Sequence, residues 1–193
     1  MSAANGRNLD ALVGLPPVLD ACCGGRMMWF DKHDDRALYI DCRDEEHKYS
    51  NGTGRLYDIR IHPDKKADFT AMPFPSDAFA LVVFDPPHLM DKSRGGHMAK
   101  KYGTLPHDWA DMLRKGFSEC FRVLRPEGVL VFKWSSHHIP LADVLALTPE
   151  RPLFGNRKPH MTKTHWVLYM KPNPTGQPRT ASVRSVAPGC SSI

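Results

Sequence analysis

The stretch Leu81-Val82-Val83-Phe84-Asp85-Pro86-Pro87-His88 sets the tightest limit on how this chain can fold. An unbroken apolar run rich in β-branched and aromatic residues reads as a short strand buried on both faces, the pattern of a parallel sheet. Tandem prolines cannot donate ladder hydrogen bonds, so the strand stops at Asp85. That leaves an acid at the carboxyl end of a buried strand, where open α/β sheets bind ligands. The Pro86-Pro87 backbone is stiff and leaves its carbonyls unpaired. Asp85 and a carbonyl near Pro86 therefore form a pre-set acceptor site for an NH2 group, with the flat ring of His88 beside it.

The rest of the chain supplies the sheet. Val18 to Cys22 reads as a first short strand, running through Gly24-Gly25 into a helix-competent stretch from Arg26 to about Lys32. Ala37 to Asp41 is a second strand ending in an acid, 44–48 is charged and helix-like, and Ala67-Asp68-Phe69 is a brief third strand. A polar loop is expected over 90–106. His107 to Leu124 is an amphipathic helix whose apolar positions, among them Trp109, Leu113, Phe117 and Phe121, recur at spacings of three and four. Arg125-Pro126-Glu127-Gly128 carries helix-stop chemistry before a fifth strand, Val129 to Trp134. A short helix over 142–147 and a last strand, Thr164 to Met170, complete the series. Strands alternating with helical segments imply an α/β domain over 17–171 with a mostly parallel sheet and helices on both faces. Residues 1–16 read as a loosely attached arm, and 172–193, rich in Pro, Gly, Ser, Thr and Arg, as a disordered tail.

Composition removes several functions. The five cysteines are odd in number, two are adjacent, and no C-x-x-C occurs, which suits neither a disulfide framework nor a zinc site. Ten histidines include no H-E-x-x-H, so no metal is expected. No apolar run approaches the roughly 18 residues of a membrane span, and Met1 to Asn8 has no signal-peptide pattern, so a cytoplasmic protein without membrane contact is expected. The formal charge of +5 is compatible with a polyanionic partner. Basic residues gather at Lys92, Arg94, Lys100 and Lys101, and again at Arg151, Arg157, Lys158 and Lys163, either as a contact surface or as solvated charge.

Three strand ends form an ordered set. Asp20-Ala21-Cys22-Cys23-Gly24 is a strand-to-helix turn in which glycine lets a ligand approach the backbone. Asp41 ends the next strand about 20 residues on, where an acid accepts ribose hydroxyls in nucleoside-binding folds. Asp68 and Phe69 offer an acceptor and a ring face for adenine. The absence of G-x-G-x-x-G argues against a dinucleotide. Asp20, Cys22, Cys23, Gly24, Asp41, Asp68 and Phe69 are thus the candidate cofactor residues. Trp29 and Phe30 read as core, and Asp31 and Lys32 as a surface pair or as neighbours of the transferred group. Lys100, Lys101, Tyr102 and Lys133 are candidate substrate contacts, Lys133 also being open to a bland reading as a snorkelling strand-end lysine.

With Asp85-Pro86-Pro87-His88, this set resembles the class I S-adenosylmethionine-dependent methyltransferases that modify amino groups. The tetrapeptide is similar to the D-P-P-[YFW] motif of nucleic-acid N6-adenine methyltransferases. The lead-in Phe74 to Val83 and the passage Glu119 to Gly128 resemble the same family. Residues 18 to 171 also resemble small methyltransferases carried by phages and prophages, through Cys22 to Gly24, Trp29 to Lys32, Phe84 to His88, Ala99 to Gly103 and Lys163 to Trp166. The resemblance implies a Rossmann-like sheet of seven strands with the last antiparallel, S-adenosyl-L-methionine as cofactor, and methyl transfer to an exocyclic amino nitrogen of a nucleobase in DNA or RNA, N6 of adenine favoured. It implies that Asp85, Pro86, Pro87 and His88 form the catalytic site. Two departures stand out: His88 replaces the usual aromatic, and no separate target-recognition domain is expected. No Pro-Cys nucleophile is present. A free nucleotide or other small-molecule acceptor, or cofactor binding without catalysis, remain the alternatives, and the pattern fixes no oligomeric state.

Overall fold

A computed structural model describes residues 14–50, 56–90, 96–156 and 163–173. The first 13 residues of the expected arm, the tail from 174 on, and Lys92, Arg94, Arg157 and Lys158 lie outside them. The chain runs through β1 (Val18–Asp20), β2 (Ala37–Asp41), β3 (Glu45–Ser50), β4 (Leu56–Ile61), β5 (Lys65–Lys66) and β6 (Phe79–Phe84). It continues through α1 (His97–Tyr102), α2 (Trp109–Val123), β7 (Leu124–Ser135), α3 (Leu141–Leu145), β8 (Phe154–Gly155) and β9 (Thr164–Met170).

Seven strands form one Rossmann-like sheet in the order β5-β2-β1-β6-β7-β9-β8. β5, β2, β1, β6 and β7 run parallel, β9 is antiparallel to β7, and β8 antiparallel to β9. From β1 the chain builds outward through β2 to β5, then returns to the other side of β1 with β6. The order thus reverses at β1, and the carboxyl ends of β1, β2 and β6 open onto a common crevice.

One core lies between this sheet and α2. Leu113, Phe117, Cys120 and Val123 of α2 are buried against it, and the Phe117 ring centre lies 5.5 Å from Phe84 and 4.9 Å from Phe132. Gly116 carries the closest approach: a Cβ there would stand 2.7 Å from Phe84 Cζ and 2.9 Å from Phe69. The missing side chain therefore lets α2 press on both phenylalanines, of which Phe69 lines the crevice. Glu119 and Arg122 of α2 grip the 72–74 turn, Arg122 donating to the carbonyls of Met72 and Phe74 and Glu119 accepting from the Met72 N–H.

α2 and α3 share one core cluster, while Tyr39 and Ala37 of β2 form a second, smaller one with Trp29 packed against it from a segment that is not helical. Several expectations are corrected. The stretch from Arg26 to Lys32 is a run of turns. Arg26 takes a φ of +53°, and its guanidinium donates to the carbonyls of Lys32 and His62 and to Asp64, so tertiary partners replace helical ones. Phe30, read as core, is fully exposed. Residues 45–50 are strand, not helix. β3 pairs antiparallel with β4 in a separate two-stranded sheet, where Tyr49 stacks on Tyr57 at 5.2 Å. The third strand lies two residues earlier than expected, at Lys65–Lys66. The loop expected over 90–106 contains α1. The 125–128 turn is a bulge inside β7, with Glu127 at φ +62°.

Candidate active site

A cleft of about 320 Å³ opens at the carboxyl ends of the central strands. The β1 turn enters it as Cys22, Cys23 and Gly24, the β2 end as Asp41 and Arg43, and the β6 end as Asp85 and Pro87. Phe69, Lys101, Tyr102, Lys133 and Trp166 close its remaining sides.

Gly24 sits at φ +49° with open space around it, so the backbone conformation and not crowding requires glycine. Its N–H donates to Asp41 Oδ2 at 3.0 Å, tying the β1 turn to the end of β2. Asp41 is otherwise claimed by Arg43, whose backbone N–H and Nε donate to Oδ1 and whose Nη2 donates to Oδ2. Arg43 Nη1 continues to the Lys100 carbonyl in α1 at 3.1 Å. One guanidinium thus covers the strand-end acid and anchors the helix across the cleft.

Asp20 lies beneath the β1 turn and is fully buried. Its Oδ2 accepts from Trp29 Nε1 at 2.7 Å and its Oδ1 from the Cys22 N–H. Burial pushes its carboxyl up to about 7, the two hydrogen bonds pull it down, and the charges of Asp85 and Asp41 push it up again. Burial likewise raises the thiols of Cys22, well above the ordinary range, and Cys23, to about 12, so both are held as neutral thiols.

Asp85 follows the last ladder residue of β6. Burial raises its carboxyl, and Lys133 opposes that shift. Lys133 Nζ donates to Asp85 Oδ2 at 2.5 Å. Pro87 packs against Gly103, where a Cβ would meet its ring at 3.2 Å. His88 turns away from the cleft. Its ring lies 5.9 Å from Tyr102 and edge-on to Trp134 at 6.2 Å. His88 Nδ1 is buried with no partner among the described residues, and burial lowers the ring's pKa, which holds it neutral.

The structure therefore brings Cys22, Cys23, Gly24, Asp41, Phe69, Asp85, Pro87, Lys101, Tyr102 and Lys133 to one cleft, with Asp20 and Pro86 behind its wall. Asp68 stands apart: its Oδ1 accepts both the N–H and the hydroxyl of Thr70 in a local turn. Lys100 contributes its carbonyl to Arg43. Asp31 and Lys32 are exposed, Lys32 reaching the Gly25 carbonyl. Arg43 and Trp166 were not foreseen as site residues. The signal for Trp166 was a large aromatic on the outward phase of β9, where it is 36% exposed. Arg43 offered only its place two residues after a strand-end acid. Among the described residues no three His, Cys, Asp or Glu side chains cluster as a metal site would, and no helix is long and apolar enough to cross a membrane.

No protein-family model matches the chain. No curated protein matches it significantly. Among solved structures it is similar to the PH0226 protein of Pyrococcus horikoshii, at 15% identity and a TM-score of 0.49, covering 80% of this chain and 81% of that one. It is also similar to an S-adenosylmethionine-dependent methyltransferase of Mesorhizobium loti, at 14% identity and a TM-score of 0.41, covering 81% of this chain and 92% of that one. A third likeness is to a Thermus thermophilus protein provisionally named a DNA modification methylase and solved with S-adenosyl-L-methionine, at 21% identity and a TM-score of 0.39. The overlap there is 59% of this chain and 57% of that one.

Proposed function

We propose that this protein transfers a methyl group from S-adenosyl-L-methionine to an exocyclic amino nitrogen of a nucleobase in DNA or RNA, with N6 of adenine the favoured target. One observation carries the reading: the cleft bordered by the Gly24 turn and Asp41 is the same cleft that takes in Asp85 and Pro87. One side suits a nucleoside and the other an amino group, within a volume ordinary for a ligand site.

The residues fit a cationic cofactor. Three carboxylates, Asp20, Asp41 and Asp85, converge at neighbouring strand ends, and the charges of the other two push the Asp20 carboxyl up. A ligand bearing positive charge relieves that strain. Asp41 would take the ribose hydroxyls once Arg43 yields, the Cys22-Cys23-Gly24 backbone the amino-acid end, and Phe69 the adenine. Asp68 serves by shaping the turn that presents Phe69. The cofactor supplies an electrophilic methyl on a sulfonium centre.

The protein's own work is on the acceptor. The lone pair of a base amino group is delocalised into the ring. Asp85 and the Pro86 carbonyl accept its two N–H bonds, draw the nitrogen toward tetrahedral geometry and free the lone pair for in-line attack. Asp85 would take one amino proton from the methylated nitrogen, or pass it on to water. With His88 turned inward, Tyr102 offers the ring face beside the target. Lys101, whose Nζ lies 5.0 Å from the Tyr102 ring centre, and Lys100 supply positive charge for a phosphate backbone. A base in a duplex must be flipped to reach this cleft.

The test is to incubate the protein with methyl-labelled cofactor and, separately, duplex DNA, single-stranded DNA, total RNA and free nucleotides. Label in a polymer is the expected result. Label confined to nucleotides would make the substrate a small molecule. Cofactor binding without transfer anywhere would leave a binding protein, and calorimetry showing no binding of the cofactor or its demethylated product would end the reading.

A further inference from the structure

The register of the sheet places a cation beside the amino-accepting acid. Phe84 pairs with Phe132 across β6 and β7, so the next residues along, Asp85 and Lys133, are neighbours; Lys133 pairs in turn with Trp166 of β9. Asp85, Lys133 and Trp166 all line the cleft. Lys133 Nζ donates to Asp85 Oδ2 at 2.5 Å and lies 5.8 Å from the Trp166 ring centre. Both partners of the ion pair are largely buried, with side chains 23% and 16% exposed, so solvent does little to weaken it.

We infer that Lys133 is a positioning residue, whose ammonium holds Asp85 by Oδ2 and leaves Oδ1 as the oxygen that meets the target amino group. This rests on the amino-methylation reading of the cleft. A free carboxyl beside Pro86 would have two equivalent faces and no fixed orientation. With Oδ2 engaged by Lys133, Oδ1 is the carboxylate oxygen left for the substrate, with the Pro86 carbonyl as the second acceptor.

The same contact governs ionisation. A protonated Asp85 is a hydrogen-bond donor and cannot serve as the strong acceptor the amino group requires. Burial favours that protonated form, and Lys133 opposes it. The other groups facing Asp85 are His88 just beyond it, held neutral by burial, and Asp20 and Cys22 from the end of β1. Lys101 and Tyr102 of α1 and Arg43 after β2 share the cleft, but Arg43 is spent on Asp41. Lys133 is therefore the one cation in hydrogen-bonding contact with Asp85 among the described residues.

Two readouts test this on the full chain. The first is the carboxyl carbon resonance of Asp85, assigned by its loss in Asp85→Asn and titrated in wild type, Lys133→Met, Lys133→Gln and Lys133→Arg. Removing a cation at this distance moves the midpoint upward by roughly one to three pH units, and arginine restores most of it. The second is the pH profile of methyl transfer, whose acid limb moves upward by the same interval in both neutral variants with little change in KM for the nucleic acid. An unmoved Asp85 titration overturns the inference. So does a fixed acid limb with a raised KM, which would make Lys133 a substrate contact instead. If wild type transfers no methyl group, the functional reading fails, and the carboxyl titration still decides whether Lys133 controls Asp85.

Discussion

At the β2 end of the cleft Asp41 is gripped by Arg43, two residues along the same chain; at the β6 end Asp85 is held by Lys133, from another strand. The guanidinium contacts both oxygens of Asp41 and continues to the Lys100 carbonyl. The ammonium makes one bond to one oxygen. A planar fork closes an acid, whereas a point charge on a flexible stem leaves half of it available. The difference matches the proposed duties. A ribose acid can stay closed until a ligand displaces its partner, but an acid that must accept an amino hydrogen in every turnover needs one oxygen free. Between the two lies Asp20, which has no cation at all among the described residues and takes its bonds from an indole and a backbone amide.

The largest effect is expected at that middle acid. A carboxyl that ionises near 7 in the folded protein and near 3.8 when unfolded favours folding while it is protonated. This contribution is fully present below pH 3.8 and lost as pH rises through about 7. The swing is about 4 kcal/mol, in order of magnitude. Asp20→Asn removes the titration while keeping an acceptor for Trp29. Urea unfolding of the two proteins from pH 4 to pH 8 should show the variant gaining on wild type by that amount. Parallel stability curves would mean that Asp20 is ionised throughout, and that the three acids are more alike than their partners suggest.

Next in size is Asp85→Ala, which removes the amino acceptor and leaves the nucleoside side untouched. Transfer should fall at least about a hundredfold, roughly 3 kcal/mol in the barrier, while calorimetric affinity for the cofactor changes little. Equal loss of binding and transfer would erase the division of labour between the two ends.

What the sequence made legible follows the same division. β2, buried nearly throughout, and β9, which alternates buried with outward positions, each carry a strand signature and have the boundaries that the pattern predicts, and the diproline stop places Asp85 at a strand end. Asp41 and Asp85 were visible for the same reason. The segments that escaped are those decided by distant partners. Arg26 leaves helical geometry to reach His62 and Asp64, 36 and 38 residues away. β3 opens on Glu45, Glu46, His47 and Lys48 and has no buried residue, so only its pairing with β4 identifies it as a strand. Trp166 joins the cleft through the antiparallel register with Lys133, which no local pattern encodes. His88 reads as a ring beside the acceptor site, yet the packing of Tyr102 and Trp134 draws it inward.

Arg43→Ala breaks the closed end alone, and its expected effect is the smallest. In the free protein the substitution strips a buried acid of its cation, so the melting temperature should drop. The acid is then available to ribose hydroxyls without prior displacement of a guanidinium, and one positive charge near a cationic ligand is gone. Both changes favour binding, by about tenfold or about 1.4 kcal/mol. Titration calorimetry with S-adenosyl-L-homocysteine, which lacks the sulfonium charge, separates them: a gain shared by both ligands is the freed acid, and a gain confined to S-adenosyl-L-methionine is the removed charge. α1 supplies an internal check, because its Lys100 carbonyl loses its partner in this variant. Faster amide exchange over α1 together with tighter binding would mean that Arg43 couples the closing of the cleft to the ribose site. Weaker binding of both ligands would mean that the nucleoside lies elsewhere and that the Asp41–Arg43 pair is only a strut.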